Sequence, residues 1–184
     1  YTFDNTPPTS TSVSIDGGAA YTADTSVTLT LAAEEATEMY VTNTAGCTDG
    51  GSWEPYSTSK SWTLAQTNAS ASVYAKFRDD VGNESACTSD AIVHDNVSPL
   101  TPSVSPGALT FNEGFTANLS QGLPADVNFK EFRYTTDGSD PSCSVGTSST
   151  TEPTIVTISE ATTTLKVIAC DEVGLFSAIA STTY

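Results

Sequence analysis

RDDVGNESA at residues 78–86 and CDEVGLFSA at residues 170–178 are one phrase written twice, 92 residues apart. Each copy carries an aspartate (Asp79, Asp171), a Val-Gly pair (Val81-Gly82, Val173-Gly174) and a closing Ser-Ala (Ser85-Ala86, Ser177-Ala178). Val73, Ala75 and Phe77 fall on Leu165, Val167 and Ala169 at the same offset, and FDNTPP (3–8) answers HDNVSP (94–99) at an offset of 91. SVSIDGGAAYT (12–22) answers SVSPGALTF (103–111) with a gap of one or two residues. The repeat divides the chain into residues 1–95 and 96–184. Tyr1 and Tyr184 both align with Ile92, so residues 1–3 read as the end of a preceding unit, in the manner of two beads from a longer string.

Composition sets the fold class. The 31 Thr and 24 Ser among 184 residues favour pleated, half-buried surface, and no stretch sustains a 3.6-residue apolar period. In VYAKF (73–77) strict alternation puts Val73, Ala75 and Phe77 on one face and Tyr74 and Lys76 on the other. Turn signals such as DGG, TDGG, TDGSDP and DDVGN separate such runs. Expected strands are 12–15, 26–32, 38–43, 60–64, 72–78 and 86–93, then 103–105, 114–119, 129–136, 154–158, 163–170 and 177–184. The expectation is an all-β chain of two tandem Ig-like or fibronectin-III-like β-sandwiches. Within it the doubled phrase is the last residues of a central strand and the turn that follows, with Gly82 and Gly174 supplying the turn geometry.

The second unit contains YTTDGSDPSC (134–143) and ISEATTTLKVIACDEVGLFSA (158–178). It resembles the chitobiase/β-hexosaminidase C-terminal type of sandwich domain, whose signature pairs a YTTDGSxP turn with a TTLKAIA strand. The first unit, with SWEPYSTSKSWTL (52–64) and VYAKFRDDVGNES (73–85), resembles the bacterial Ig-like or fibronectin-III-like repeats of large secreted surface proteins. Both resemblances imply non-catalytic spacer or accessory modules, outside the cell or in the periplasm, beside glycoside hydrolases or in long adhesins and fibres. Their implied partners are neighbouring domains of the same chain, with a surface glycan or protein as the alternative ligand. Oligomeric state stays open, monomer or trimeric fibre alike.

Four cysteines divide two per unit, Cys47 with Cys87 and Cys143 with Cys170. Cys47 and Cys143 occupy comparable places, but Cys87 aligns near Ile179 and Cys170 with Arg78. Two even-numbered, independently placed pairs imply an intra-unit disulfide in each and an oxidising compartment; free buried thiols are the alternative. No CxxC spacing suggests zinc.

With 22 Asp and Glu against six Lys and Arg, the net charge is −16. No basic stripe is present to neutralise phosphates, so nucleic acid is an improbable partner, and no apolar run is long enough to insert in a membrane. The one histidine, His94, stands beside Asp95 and reads as a solvated junction residue. No G-x-S-x-G elbow or phosphate loop occurs, and an enzyme is not expected.

Two weaker signals remain. Acidic residues gather where an Ig-like unit's chain enters: Asp4, Glu34, Glu35, Glu38, Asp79, Asp80 and Glu84 in the first unit, and Asp95, Asn96, Asp126, Asp171 and Glu172 in the second. Carboxylates in clusters are the hard ligands calcium prefers, and Asp4, Glu35, Asp79, Asp80, Asp95, Asp171 and Glu172 are its candidate set. The competing reading is a solvated acidic face, with no cofactor at all. Trp53 and Tyr56 are the candidate glycan contacts, since exposed aromatics stack on sugar rings, whereas Trp62 heads an apolar stretch and belongs to the core. The sequons at Asn68, Asn83, Asn96 and Asn118 are expected by chance in so hydroxyl-rich a chain.

Overall fold

The computed structural model describes residues 3–111, 114–159 and 163–184. Contacts divide the chain into two compact units, Tyr1–Asn96 and Val97–Tyr184. Both are β-sandwiches, and among the described residues every element is a strand apart from one 3-10 turn at Ala45–Cys47.

The described residues of the first unit form eight strands: β1 (Thr9–Ile15), β2 (Tyr21–Thr22), β3 (Ser26–Glu34), β4 (Glu38–Thr42), β5 (Trp53–Pro55), β6 (Ser59–Thr63), β7 (Ala69–Arg78) and β8 (Thr88–His94). They form a three-stranded sheet in the order β1-β3-β6 and a five-stranded sheet in the order β2-β8-β7-β4-β5. Alternation explains the layering. Val27, Leu29 and Leu31 of β3 face Val73, Ala75 and Phe77 of β7 across the core, while Thr28 and Thr30 face solvent. Phe77 is fully buried and makes a T-shaped pair with Tyr56, ring centroids 5.9 Å apart.

The second unit has β9 (Ser103–Ser105), β10 (Phe115–Ser120), β11 (Phe129–Thr135), β12 (Thr147–Ser149), β13 (Thr154–Ile158), β14 (Thr164–Asp171) and β15 (Ala180–Thr183). One sheet runs β13-β10-β9 and the other β12-β11-β14-β15. Ala117, Leu119, Val156 and Ile158 meet Phe132, Leu165, Val167 and Ala169 in its core.

The structure adds three strands to those expected, β2, β5 and β12. All are two or three residues long, too short for alternation to register, and β12 is all hydroxyls. β2 pairs parallel to β8, Tyr21 opposite Val93, a non-local contact with no local pattern. The last strand of each unit starts later than expected, at Thr88 and Ala180, because the preceding serine is folded back onto the neighbouring strand. His94 corrects the solvated-junction reading. It ends β8 on the buried side, only 1% exposed, and its Nδ1 accepts the Asn68 N–H at 2.9 Å.

Candidate functional site

The doubled phrase folds the same way in both units. Asp79 Oδ1 accepts the N–H groups of Val81, Gly82 and Asn83 at 2.7–3.0 Å, and Asp171 Oδ1 accepts those of Val173 and Leu175 at 3.0 and 2.8 Å. Ser85 Oγ accepts the Phe77 N–H and donates to Ala86 O; Ser177 Oγ does the same with Ala169 and Ala178. The backbone N–H of each serine reaches Phe77 O or Ala169 O. An aspartate thus organises the turn's amides and a serine bridges the distorted strand end. Gly82 and Gly174 lie at φ +94° and +89°, which L side chains rarely adopt.

Burial works to raise the pKa of Asp79, but the Asn83 amide and the three backbone N–H groups outweigh it and hold the carboxyl below the ordinary range. Asp137, in the YTTDGSDP turn, is likewise held low, first by the Ser139 hydroxyl and then by the Ser139 N–H.

The acidic residues do not form one cluster within the first unit. Asp4 is exposed and accepts the Thr6 N–H, while its carbonyl meets the Asn83 amide at 3.4 Å. Glu35 and Asp80 are exposed on separate turns, and the carboxylate of Asp79 serves its own turn. Asp95 is buried and its N–H bonds Thr22 O. In the second unit Glu172 is exposed and pairs with Lys130 at 3.6 Å. Asp126 and Asp171 do converge, with carboxylate oxygens within 4.8 Å of each other; Asp171 is 1% exposed and Asp126 half-buried. Asp126 is positioned by its own loop, its N–H on Gln121 Oε1 and its Oδ1 on the Asn128 N–H.

The two candidate glycan contacts part company. Tyr56 is spent internally: its hydroxyl accepts the Ala33 N–H at 3.1 Å and donates to Leu31 O at 3.4 Å, and its ring abuts Phe77. The ring is partly buried against the core, where its loop crosses back over β3. Trp53 sits on the outer face of the larger sheet opposite Tyr40, ring centroids 5.6 Å apart. The Arg78 guanidinium lies 4.3 Å from its centroid, and Lys76 Nζ is 5.3 Å from both rings. Arg78 is bonded to Glu38, which lowers the glutamate's pKa and raises the arginine's. Alternation in VYAKFR already puts Lys76 and Arg78 on one face; the register that brings β5 alongside was not visible in the sequence. Trp62 packs against the core and donates its indole N–H to Asn43 Oδ1 at 2.9 Å.

Two disulfides staple the units. Cys47–Cys87 joins the turn after β4 to the start of β8, and Cys143–Cys170 joins the loop before β12 to β14, each with 5.9 Å between Cα atoms. Among the described residues no helix is long and apolar enough to cross a membrane.

The profile of the Fn3-associated family matches residues 123–184. No curated protein matches the chain. Among solved structures, the fibronectin(III)-like modules of Clostridium thermocellum CbhA are similar at 15% identity over 93% of this chain and 92% of that one, with a TM-score of 0.50. A structure from a 1.5-MDa bacterial ice-binding adhesin matches at 14% identity over 98% of this chain and 65% of that one, with a TM-score of 0.47. The chicken CNTN1 FN1–FN3 domains match at 10% identity over 98% and 66%, with a TM-score of 0.48. The fold is fibronectin-III-like.

Proposed function

We propose that the two units are non-catalytic spacer modules of a long bacterial surface or secreted protein, holding a binding or catalytic region away from its anchor. One observation carries this reading: the polar residues of the doubled phrase are turned onto their own backbone. Asp79 and Ser85, like Asp171 and Ser177, satisfy turn amides and a strand irregularity, which is architecture repeated per unit. The disulfides support an extracellular setting, and the fibronectin-III-like fold supports partnership with neighbouring domains of the same protein. In this reading the second unit is of the chitobiase/β-hexosaminidase C-terminal type; its YTTDGSDP stretch supports this, and there Asp137 accepts the Ser139 N–H and hydroxyl.

The test is a broad glycan array, run on the chain with calcium and again with chelator. Silence under both conditions is the expected result. Reproducible binding that disappears in Trp53→Ala would replace the spacer with a recognition module.

Calcium is a second element of the reading, favoured by the Asp126–Asp171 pair. Two carboxylates within 4.8 Å of each other, one of them buried, are the hard oxygen ligands that suit calcium. Calcium should raise the melting temperature of the native chain and lose that effect in Asp126→Asn. An equal response in both forms would dismiss this pair as the site.

A further inference from the structure

β13 is the edge strand of its sheet. β10 pairs along one side, and no described strand pairs along the other. Its counterpart β6 is also an edge, beside β3. The two edges are defended differently. β6 reads Ser-Lys-Ser-Trp-Thr, with Lys60 held by Glu54 at 2.8 Å and lying 5.6 Å from the Trp62 ring. A lysine there must be desolvated before another chain can pair, which is how natural edges resist it. β13 reads Thr-Ile-Val-Thr-Ile, with no charge and no proline. Thr154, Val156 and Ile158 turn into the core, while Ile155 stands 65% exposed on the outer face beside exposed Thr157. An uncharged run of β-branched residues is the composition most apt to accept a further strand.

We propose that the free edge of β13 is a docking site for an extended cationic peptide segment, which joins the β9-β10-β13 sheet as a fourth strand. Charge selects the occupant. Residues 97–184 carry nine Asp and Glu against three Lys and Arg, a surplus of six negative charges (9 − 3). The three cations are already engaged: Lys130 with Glu172, Arg133 with Glu131 and Lys166 with Asp140, at 3.6, 2.9 and 2.6 Å. Glu152, two residues before β13, adds a carboxylate fixed by the Gln121 backbone and side-chain amides. An acidic strand finds no uncommitted lysine or arginine on this unit, and a second copy of the chain would bring −16 of its own. Main-chain hydrogen bonds supply the common part of the affinity. Ile155 and Thr157 select apolar or β-branched residues opposite them, and the negative surplus selects lysine or arginine at the peptide's ends.

The probe is a fluorescent peptide, Lys-Val-Thr-Val-Thr-Val-Lys, titrated against the full chain by anisotropy. Saturable binding is expected, weakened about tenfold or more by Ile155→Lys, which alters an exposed side chain and adds like charge. Thr157→Lys serves as a second variant, with circular dichroism checking that each remains folded. N-methylating alternate peptide nitrogens should abolish binding for one set and spare the other, since a strand offers its partner only one edge. No saturable binding, indifference to both methylated sets, or unchanged affinity in both variants would overturn strand addition. Equal affinity for a peptide with glutamate ends would overturn the cationic occupant. Self-association in sedimentation that Ile155→Lys abolishes would make the occupant a second copy, and the proposal would fail in that form.

Discussion

Asn83 binds Asp79 twice, its backbone N–H reaching Oδ1 at 2.9 Å and its side-chain amide reaching Oδ2 at 2.8 Å. In the second unit Leu175 stands at the matching place, where its backbone N–H reaches Asp171 but its side chain has no amide to add. The Asp79 carboxyl is held below its ordinary pKa, so its contribution to stability is present above the unfolded-state value, about 3.9. That contribution is lost as pH falls through the lower folded-state value. Asp79→Asn should therefore lower the melting temperature at neutral pH, and the gap from the native chain should narrow as the pH falls below the unfolded-state value. A gap that stays constant across this range would mean that charge plays no part in the turn.

Gly82 and Gly174 test the turn from its backbone side. A Cβ added at either would meet nothing within 4 Å, so the substitution costs only what the positive φ costs. Gly82→Ala and Gly174→Ala should each destabilise by about 1–2 kcal/mol, read from denaturant unfolding. A neutral result at both would show that the turn relaxes to another conformation and does not require glycine.

Legibility followed the range of the interactions involved. The central strands were visible because Val73, Ala75 and Phe77, and their counterparts Leu165, Val167 and Ala169, alternate with exposed residues, a local consequence of the pleat. The turns were visible because glycine marks them. The bonds of Tyr56 to Ala33 and Leu31 were not legible, because they depend on a crossing over β3 that no local pattern encodes. Trp53 could be singled out as an aromatic, but its cation neighbours come from β7, which pairs with β4 and not with β5. The expected calcium set named Asp171, yet its partner Asp126 was singled out only as one acid among several. Their approach is set by the loop that Gln121 and Asn128 shape.

The disulfides staple different strands, although Cys47 and Cys143 occupy matching places. The closed loops span 40 and 27 residues, and in the chain-entropy model each bridge contributes roughly 3.5–4 kcal/mol. Replacing Cys143 and Cys170 by alanine should lower the unfolding free energy of the second unit by about that amount. Reduction of the native chain should do the same in both units. A loss below about 1 kcal/mol would indicate that the reduced, unfolded chain is already compact around the bridged segment.

Tyr56→Phe separates packing from recognition at the aromatic patch. The substitution keeps the ring against Phe77 but removes the hydroxyl that accepts the Ala33 N–H and donates to Leu31 O. Since those groups lie at the end of β3, where the turn to β4 begins, they lose a partner, and the first unit should be destabilised by about 1–2 kcal/mol in denaturant unfolding. Any glycan response on the array should be unchanged, because the hydroxyl that is removed is engaged by Ala33 and Leu31 of β3. Trp53→Ala should behave oppositely with respect to its surroundings. It removes the ring on which Lys76 and Arg78 rest, and Lys76 should couple to Trp53 by about 0.5–1 kcal/mol in a double-mutant cycle. A stable Tyr56→Phe variant that lost glycan binding would mean that the hydroxyl faces a ligand and not β3.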